Sequence, residues 1–225
     1  MNVVSIKTRR FNPPQDSLDD LLSYFDNKLT EGCVVAISSK VLGICLNCCV
    51  PINEIDKQTL EKLQSDKIIT TKDNSDILLT KKDDMILEYG GVDTLSSGYY
   101  VTLPKKPYKT AMQIWKQLKK TNKIKKLGVI ITDSHSVPFR KGAVGMAVAG
   151  YGFRPNTLYG KGHAVADLID GLATSANVVM GEGIKIMPIA ILSDIPDIKF
   201  FTKSLPPSVM RSYMYIRKNE VYSVF

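Results

Sequence analysis

The stretch VIITDSHSVPFRKG, from Val129 to Gly142, sets three apolar residues and a threonine directly before an acid, a hydroxyl, a histidine and, after a proline, an arginine. The apolar run reads as a buried strand, and a strand end delivers side chains to one rim of a domain. Asp133 stands first in that line. Taken alone, such an acid is more often a turn or cap residue than a ligand. It has company, however: Asp93 follows Gly90-Gly91 at another expected strand end, and Glu182 lies between glycines in VVMGEG. Three carboxylates on one rim, with the Ser134 hydroxyl, form an oxygen-only donor set suited to a hard divalent cation. The adjoining glycines let a phosphate approach the backbone closely.

Around this feature the chain alternates irregularly. Residues 3–7 (VVSIK) read as a strand, and Leu18, Leu21, Leu22, Phe25 and Leu29 share one helical face behind Asp16, the expected N-cap. EGCVVAISSKVLGICLNCCV reads as two β-rich runs around Ser38-Ser39-Lys40, and a Lys-rich helix follows near residues 54–66. SDILLT, DMILEYGGVD and GYYVTLPKKP read as strands, the last closed by Pro104 and Pro107. YKTAMQIWKQLKK places Ala111, Ile114, Trp115 and Leu118 at helical spacing before the strand LGVIIT with Asp133 at its end. AVADLIDGLATSANVVMG reads as a helix and MPIAIL as a late strand. With no repeat, linker or clean βαβ alternation, residues 1–225 are expected to form a single α+β (mixed α/β) domain of irregular mixed sheets with flanking helices.

At 225 residues the chain can bury a core without staples. Its four cysteines (Cys33, Cys45, Cys48 and Cys49) lack the paired arms and histidines of a zinc site, so they read as reduced core thiols. MNVVSIKTRRFNPP has no apolar signal core, and no window spans a membrane, so a cytoplasmic protein is expected. A net charge of +8 points to an anionic partner without choosing between nucleotide, acidic metabolite and nucleic acid.

GxxxxGK[ST] and strand-borne GxGxxG motifs are missing, which leaves P-loop and Rossmann nucleotide sites unsupported. His135 and His163 have no zincin spacing and read as surface or loop histidines, and no GxSxG is present. Lys40, after two serines, and Arg140-Lys141, before Gly142, are candidate phosphate or carboxylate binders, with solvated surface charge the equal alternative. The basic run KQLKKTNKIKK has one aromatic, Trp115, on the apolar helix face, so no stacking platform for nucleic acid is expected.

Four motifs, in order, resemble the coenzyme F420-0 γ-glutamyl ligases, which attach L-glutamate to a deazaflavin precursor using GTP. TDSHSVPFRKG is similar to the family's S/T-D-T-F-G-R-P-W-R-x-G, keeping Asp133, Pro138, Arg140 and Gly142. EYGGVDTLSSG resembles N-A-G-I-D-x-S-N, keeping Gly91 and Asp93, and GLATSANVVMGEG and VVAISSKV match two further segments.

The resemblance implies that Asp93 and Asp133 hold one Mg²⁺ or Mn²⁺, and Ser134 with Glu182 a second. It implies nucleotide contacts from Ser39, Lys40, Ser96, Met180, Gly181 and Gly183, and an anionic substrate on Arg140. The implied reaction is γ-phosphoryl transfer from GTP to an acceptor carboxylate, then attack by the glutamate amine, in a homodimer. The acceptor would be an acidic small molecule, a deazaflavin or a folate-like compound. Ile44 and Leu46 stand where the family has a lysine and an acid, and the segment RPNTLYGKGHAVAD is shorter than its counterpart. Two other classes stay open at this point: a non-catalytic relative that binds an anionic ligand, and a basic nucleic-acid-binding protein.

Overall fold

The computed structural model describes residues 1–69, 78–83, 85–137, 139–159, 164–181 and 187–214. Pro138, His163, Glu182, Gly183 and the first half of SDILLT lie outside the described residues. Along the chain run β1 (Asn2–Ile6), α1 (Leu18–Leu22), β2 (Cys33–Ser38), α2 (Ser39–Cys45), β3 (Cys49–Pro51), α3 (Lys57–Leu63), β4 (Lys67–Ile68), β5 (Leu79–Lys82), β6 (Met85–Glu88), β7 (Asp93–Leu95) and β8 (Tyr99–Val101). They are followed by α4 (Pro107–Asn122), β9 (Leu127–Ser136), β10 (Ala143–Tyr151), β11 (Asn156–Tyr159), β12 (Ala164–Asp167), α5 (Leu168–Met180), β13 (Ile189–Ser193) and α6 (Pro207–Met214).

The expected α+β fold is present as a mixed five-stranded sheet, ordered β1-β13-β2-β9-β10, with two small three-stranded sheets and the hairpin β11-β12 beside it. Only β2 and β9 pair in parallel; the other neighbours in the large sheet are antiparallel. Side chains alternate between two cores, as strand geometry requires. Cys33, Val35 and Ile37 of β2 join Leu127, Val129 and Ile131 of β9 on the face covered by Ala111, Ile114, Trp115 and Leu118 of α4. Val34, Ala36 and Ile130 face the other way, against Ile169, Leu172, Ala173 and Ala176 of α5. Fully burying each large apolar side chain contributes roughly 1.5–3 kcal/mol, so the two-sided cover holds this sheet in place. Trp115 is buried on α4, where its Nε1–H donates to the Leu127 carbonyl at 2.8 Å.

Three expectations are corrected. The second β-rich run is the helix α2: Leu42 to Cys45 are four consecutive buried residues, and so short a buried run has no periodicity to tell strand from helix. Ser17, not Asp16, caps α1 through a capping box with Asp20; Asp16 is buried instead, accepting from the Asn12 N–H at 2.6 Å and pairing with Arg9. Strand β9 does not end at Asp133 but runs to Ser136. Its parallel neighbour is what stops, since Ser38 opposite Thr132 is the last pair of the two strands.

Helix α5 lies close on β10, stitched by Asp170 accepting from the Ala147 N–H at 2.7 Å and Thr174 donating to the Gly145 carbonyl at 2.7 Å. A Cβ at Gly145 would meet the Ala173 carbonyl oxygen at 2.4 Å, a backbone atom that cannot swing aside. Gly145→Ala is expected to destabilise by about 1–3 kcal/mol through overpacking. A urea midpoint equal to that of the parent chain would disprove this close approach.

Candidate functional site

The pairing registers set Ile6, Ile189, Ile37 and Ile131 in one row across β1, β13, β2 and β9. Two residues beyond that row lie Thr8, Met187, Ser39 and Asp133, so one rim of the sheet gathers residues from four distant parts of the chain. A cleft of about 530 Å³ opens along this rim. Of the expected site residues, Lys40, Asp93, Ser96, Asp133, Ser134, Met180 and Gly181 line it. Ser39 supports it from beneath, 2% exposed, its hydroxyl donating to Asp133 Oδ1 at 3.0 Å. Arg140 is not brought in: it stands exposed on the turn between β9 and β10, next to a fully exposed Phe139.

Local backbone accounts for the arrival of each acid. Asp133 sits where β2 has stopped, so a helix N-terminus and the Ser39 hydroxyl replace a neighbouring strand on that side. Asp93 opens β7 after the turn Tyr89–Gly91, in which Tyr89, Gly90 and Gly91 all take positive φ (55°, 63° and 69°). Glycine adopts that conformation freely, and a Cβ on Gly90 would strike the Glu61 carbonyl oxygen at 2.6 Å. The turn is fixed by Thr80, fully buried, whose hydroxyl accepts from the Gly90 N–H at 3.2 Å and donates to the Leu87 carbonyl at 3.0 Å.

Lys40 Nζ lies 3.1 Å from Asp93 Oδ2, both side chains about half exposed. One lysine thus stands among two carboxylates, and the cluster keeps an excess of negative charge. Burial, reinforced by the charge of Asp93, pushes the Asp133 carboxyl up to about 6, against the opposing pull of the Ser39 hydrogen bond and Lys40. Ser134, on the opposite side of the strand, accepts from Asn177 Nδ2 of α5 at 3.3 Å. Among the described residues no group of three His, Cys, Asp or Glu side chains is placed to hold a metal ion, and Glu182 lies outside them. Two carboxylates and a serine hydroxyl, oxygen donors only, still suit Mg²⁺ or Mn²⁺ in kind.

Several lining residues went unread in the sequence. Asn177 lies one helical turn before Met180, so the spacing could have found it. Thr8, Arg9 and Arg10 follow the first strand directly, and their paired charge was the signal. His135, expected on the surface, is half-buried and faces the cleft. All four thiols are unpaired, and burial pushes Cys45 up to about 12 and Cys49 up to about 11, which keeps them protonated. No helix among the described residues is long and apolar enough to cross a membrane.

The cleft lies at the ends of a buried sheet and is walled by acids, hydroxyls, two arginines and a lysine. Residues 5–194 match the model of the F420-0:Gamma-glutamyl ligase family, and the chain belongs to that family. The coenzyme F420:L-glutamate ligase of Methanopyrus kandleri is 27% identical over 218 residues, covering 84% of this chain and 85% of that protein. Its namesake from Methanocaldococcus jannaschii is 35% identical over 127 residues, 52% of this chain and 50% of that protein. The one from Methanosarcina mazei is 33% identical over 113 residues, 45% and 44% respectively, so the chain matches about half the length of these two relatives.

Because Asp133 holds its proton to a higher pH when folded than unfolded, stability is lost as pH rises from 3.8 to about 6. Asp133→Asn removes the buried charge and keeps an oxygen for Ser39. In chelator, the variant should melt above the parent chain at pH 7–8 and converge with it below pH 4. Parallel melting curves across that range would refute the strained carboxylate.

Proposed function

We propose that this chain is a GTP- and divalent-metal-dependent γ-glutamyl ligase joining L-glutamate to an acidic acceptor, either F420-0-like or folate-like. The observation that carries the proposal is the Asp93–Lys40 and Asp133–Ser39 constellation on the cleft of a chain from this ligase family. An acceptor carboxylate oxygen attacks the γ-phosphorus of GTP, the bond to GDP breaks, and an acyl phosphate forms. The glutamate amine then attacks the acyl carbon, phosphate leaves, and the amine gives up its proton as the amide forms.

Each residue has a part in this scheme. Lys40 leaves Asp93 to meet a triphosphate oxygen, a charge it can follow because its side chain is half exposed. Ser39 holds Asp133 in a single orientation. Ser96, Met180 and Gly181 line the cleft and would contact the nucleotide, as would Gly183, two residues beyond Gly181 in sequence. Asp93 and Asp133 would hold one cation, and Ser134 with Glu182 a second, neutralising the triphosphate so that the acceptor oxygen can approach. A cytoplasmic homodimer belongs to the same proposal; Phe139, fully exposed beside Arg140, is an apolar side chain that self-association would cover.

A second reading, anion binding without turnover, is favoured by Ile44, which lines the cleft where the family has a lysine. The two readings separate on binding and turnover. With GTP and Mn²⁺ at about 100 times Kd, the melting temperature should rise by roughly 5–10 °C. Lys40→Ala should reduce that shift, and Asp133→Asn should abolish phosphate release on addition of glutamate and acceptor. Stabilisation without phosphate release would select the binding-only relative, and no shift with GTP or ATP would reject the nucleotide site.

A further inference from the structure

Tyr89 stands out in the wall of the cleft. Its φ of 55° lies in the left-handed region, where a bulky side chain is strained and glycine or asparagine is at ease. Of the seven other described non-glycine residues with positive φ, five are Asn or Asp, and none of the seven lines the cleft. The chain thus keeps an aromatic residue on the cleft at a position whose backbone favours a smaller one. Strain held at the wall of a site points to use of the side chain.

The residue is also held ready. The Tyr89 N–H donates to the Leu78 carbonyl at 2.7 Å, and Gly90 beside it is fixed by the buried Thr80 hydroxyl. Lys57 of α3 places its Nζ over the Tyr89 ring, 4.9 Å from the centroid, and is itself paired with buried Glu61 at 3.6 Å. An aromatic ring has two faces, and Lys57, which does not line the cleft, takes one of them. The other rings of the lining serve less well: Phe11 is 5% exposed beneath the Arg9 guanidinium, and His135 offers only the smaller imidazole.

We propose that Tyr89 is the stacking platform of the cleft, a specificity residue that takes the planar heteroaromatic ring of a bound substrate on the face Lys57 leaves free. The assignment rests on the ligase reading above and adds to it the residue that recognises the uncharged end of a substrate. Both large substrates of that reading carry such a ring, guanine in GTP and the fused ring of the acceptor, joined in each to anionic groups. Asp93 stands four residues beyond Tyr89, across Gly90-Gly91. One short turn therefore carries a contact for the ring and an acid for the charged end. Stacking tolerates different rings, because every planar heterocycle has a π-face, so Tyr89 selects for a ring rather than for one base.

The test is calorimetric titration, in Mn²⁺, of GTP, tripolyphosphate and F420-0 into the full chain and into Tyr89→Asn and Tyr89→Phe. Asparagine accepts the backbone conformation and removes the ring, phenylalanine keeps the ring and removes the hydroxyl, and tripolyphosphate offers the charge of GTP without a ring. Tyr89→Asn should weaken GTP or F420-0 by about tenfold or more and leave tripolyphosphate within about twofold, while Tyr89→Phe should bind as the parent chain does. A loss confined to GTP identifies the nucleobase as the stacked ring, and a loss confined to F420-0 identifies the acceptor. Unchanged affinity for both in Tyr89→Asn, a tripolyphosphate loss equal to that of GTP, or equal losses in Tyr89→Phe and Tyr89→Asn would overturn the proposal. GTP-dependent glutamylation of F420-0 judges the ligase reading separately. Turnover with both KM values unchanged in Tyr89→Asn removes the inference and leaves the reading standing, whereas a raised KM for one substrate with kcat held supports both. Failure of the parent chain to bind either GTP or F420-0 overturns both.

Discussion

Cys33 to Ser38 of β2 lie in parallel beside Leu127 to Thr132 of β9, and every apolar side chain of that stretch is sealed from water. Parallel strands cannot be joined by a tight turn, so the chain between them must travel, and here it builds α2, α3, the two small sheets and α4 on the way. Both strands therefore end at the same rim, with the residues that follow them free to differ. β2 turns at once into α2, whereas β9 continues beside β10 alone. This difference in length leaves Asp133 with a buried hydroxyl in place of a neighbouring strand, and it makes a cleft where an extended sheet would have been closed.

The electrostatics follow from that placement. A carboxylate at the end of a two-sided core loses water, and a second carboxylate nearby raises the penalty, so Asp133 is pushed up to about 6 while Ser39 and Lys40 offset part of the cost. No packing demand explains a pair of acids there. An arrangement that weakens the protein and that no packing requires marks a candidate binding site rather than a structural feature.

Much of this was legible in the sequence, and the reasons are specific. The apolar run before Asp133 and the apolar face of α4 are local signals, and a strand and a helix lie where they point, whereas Asp93, expected at a strand end, opens β7 after a turn. The helix α2 was not legible because its four consecutive buried residues, Leu42 to Cys45, show no periodicity. The cap of α1 was misread because Asp16 and Ser17 are both good caps, and Asp16 is engaged instead by Arg9, seven residues before it in the chain. The cleft's breadth was illegible for a related reason. That Thr8 shares a rim with Asp133 depends on pairings between β1, β13, β2 and β9, which span nearly the whole chain.

The two acids of the cleft are held with unequal firmness, and this decides how the site can respond to a ligand. Lys40 and Asp93 are half exposed, so their pairing contributes no more than about 1 kcal/mol and opens readily. Asp133 is fixed from below by a hydroxyl that is itself buried, and moving it would leave Ser39 without its partner. A ligand entering the cleft would therefore rearrange the outer pair before the inner acid. With Ile44 contributing an apolar surface beside them, the adjustable charges lie at the mouth and the preorganised one at the sheet. In that order a charged molecule would meet the hydrated pair first and the desolvated Asp133 last.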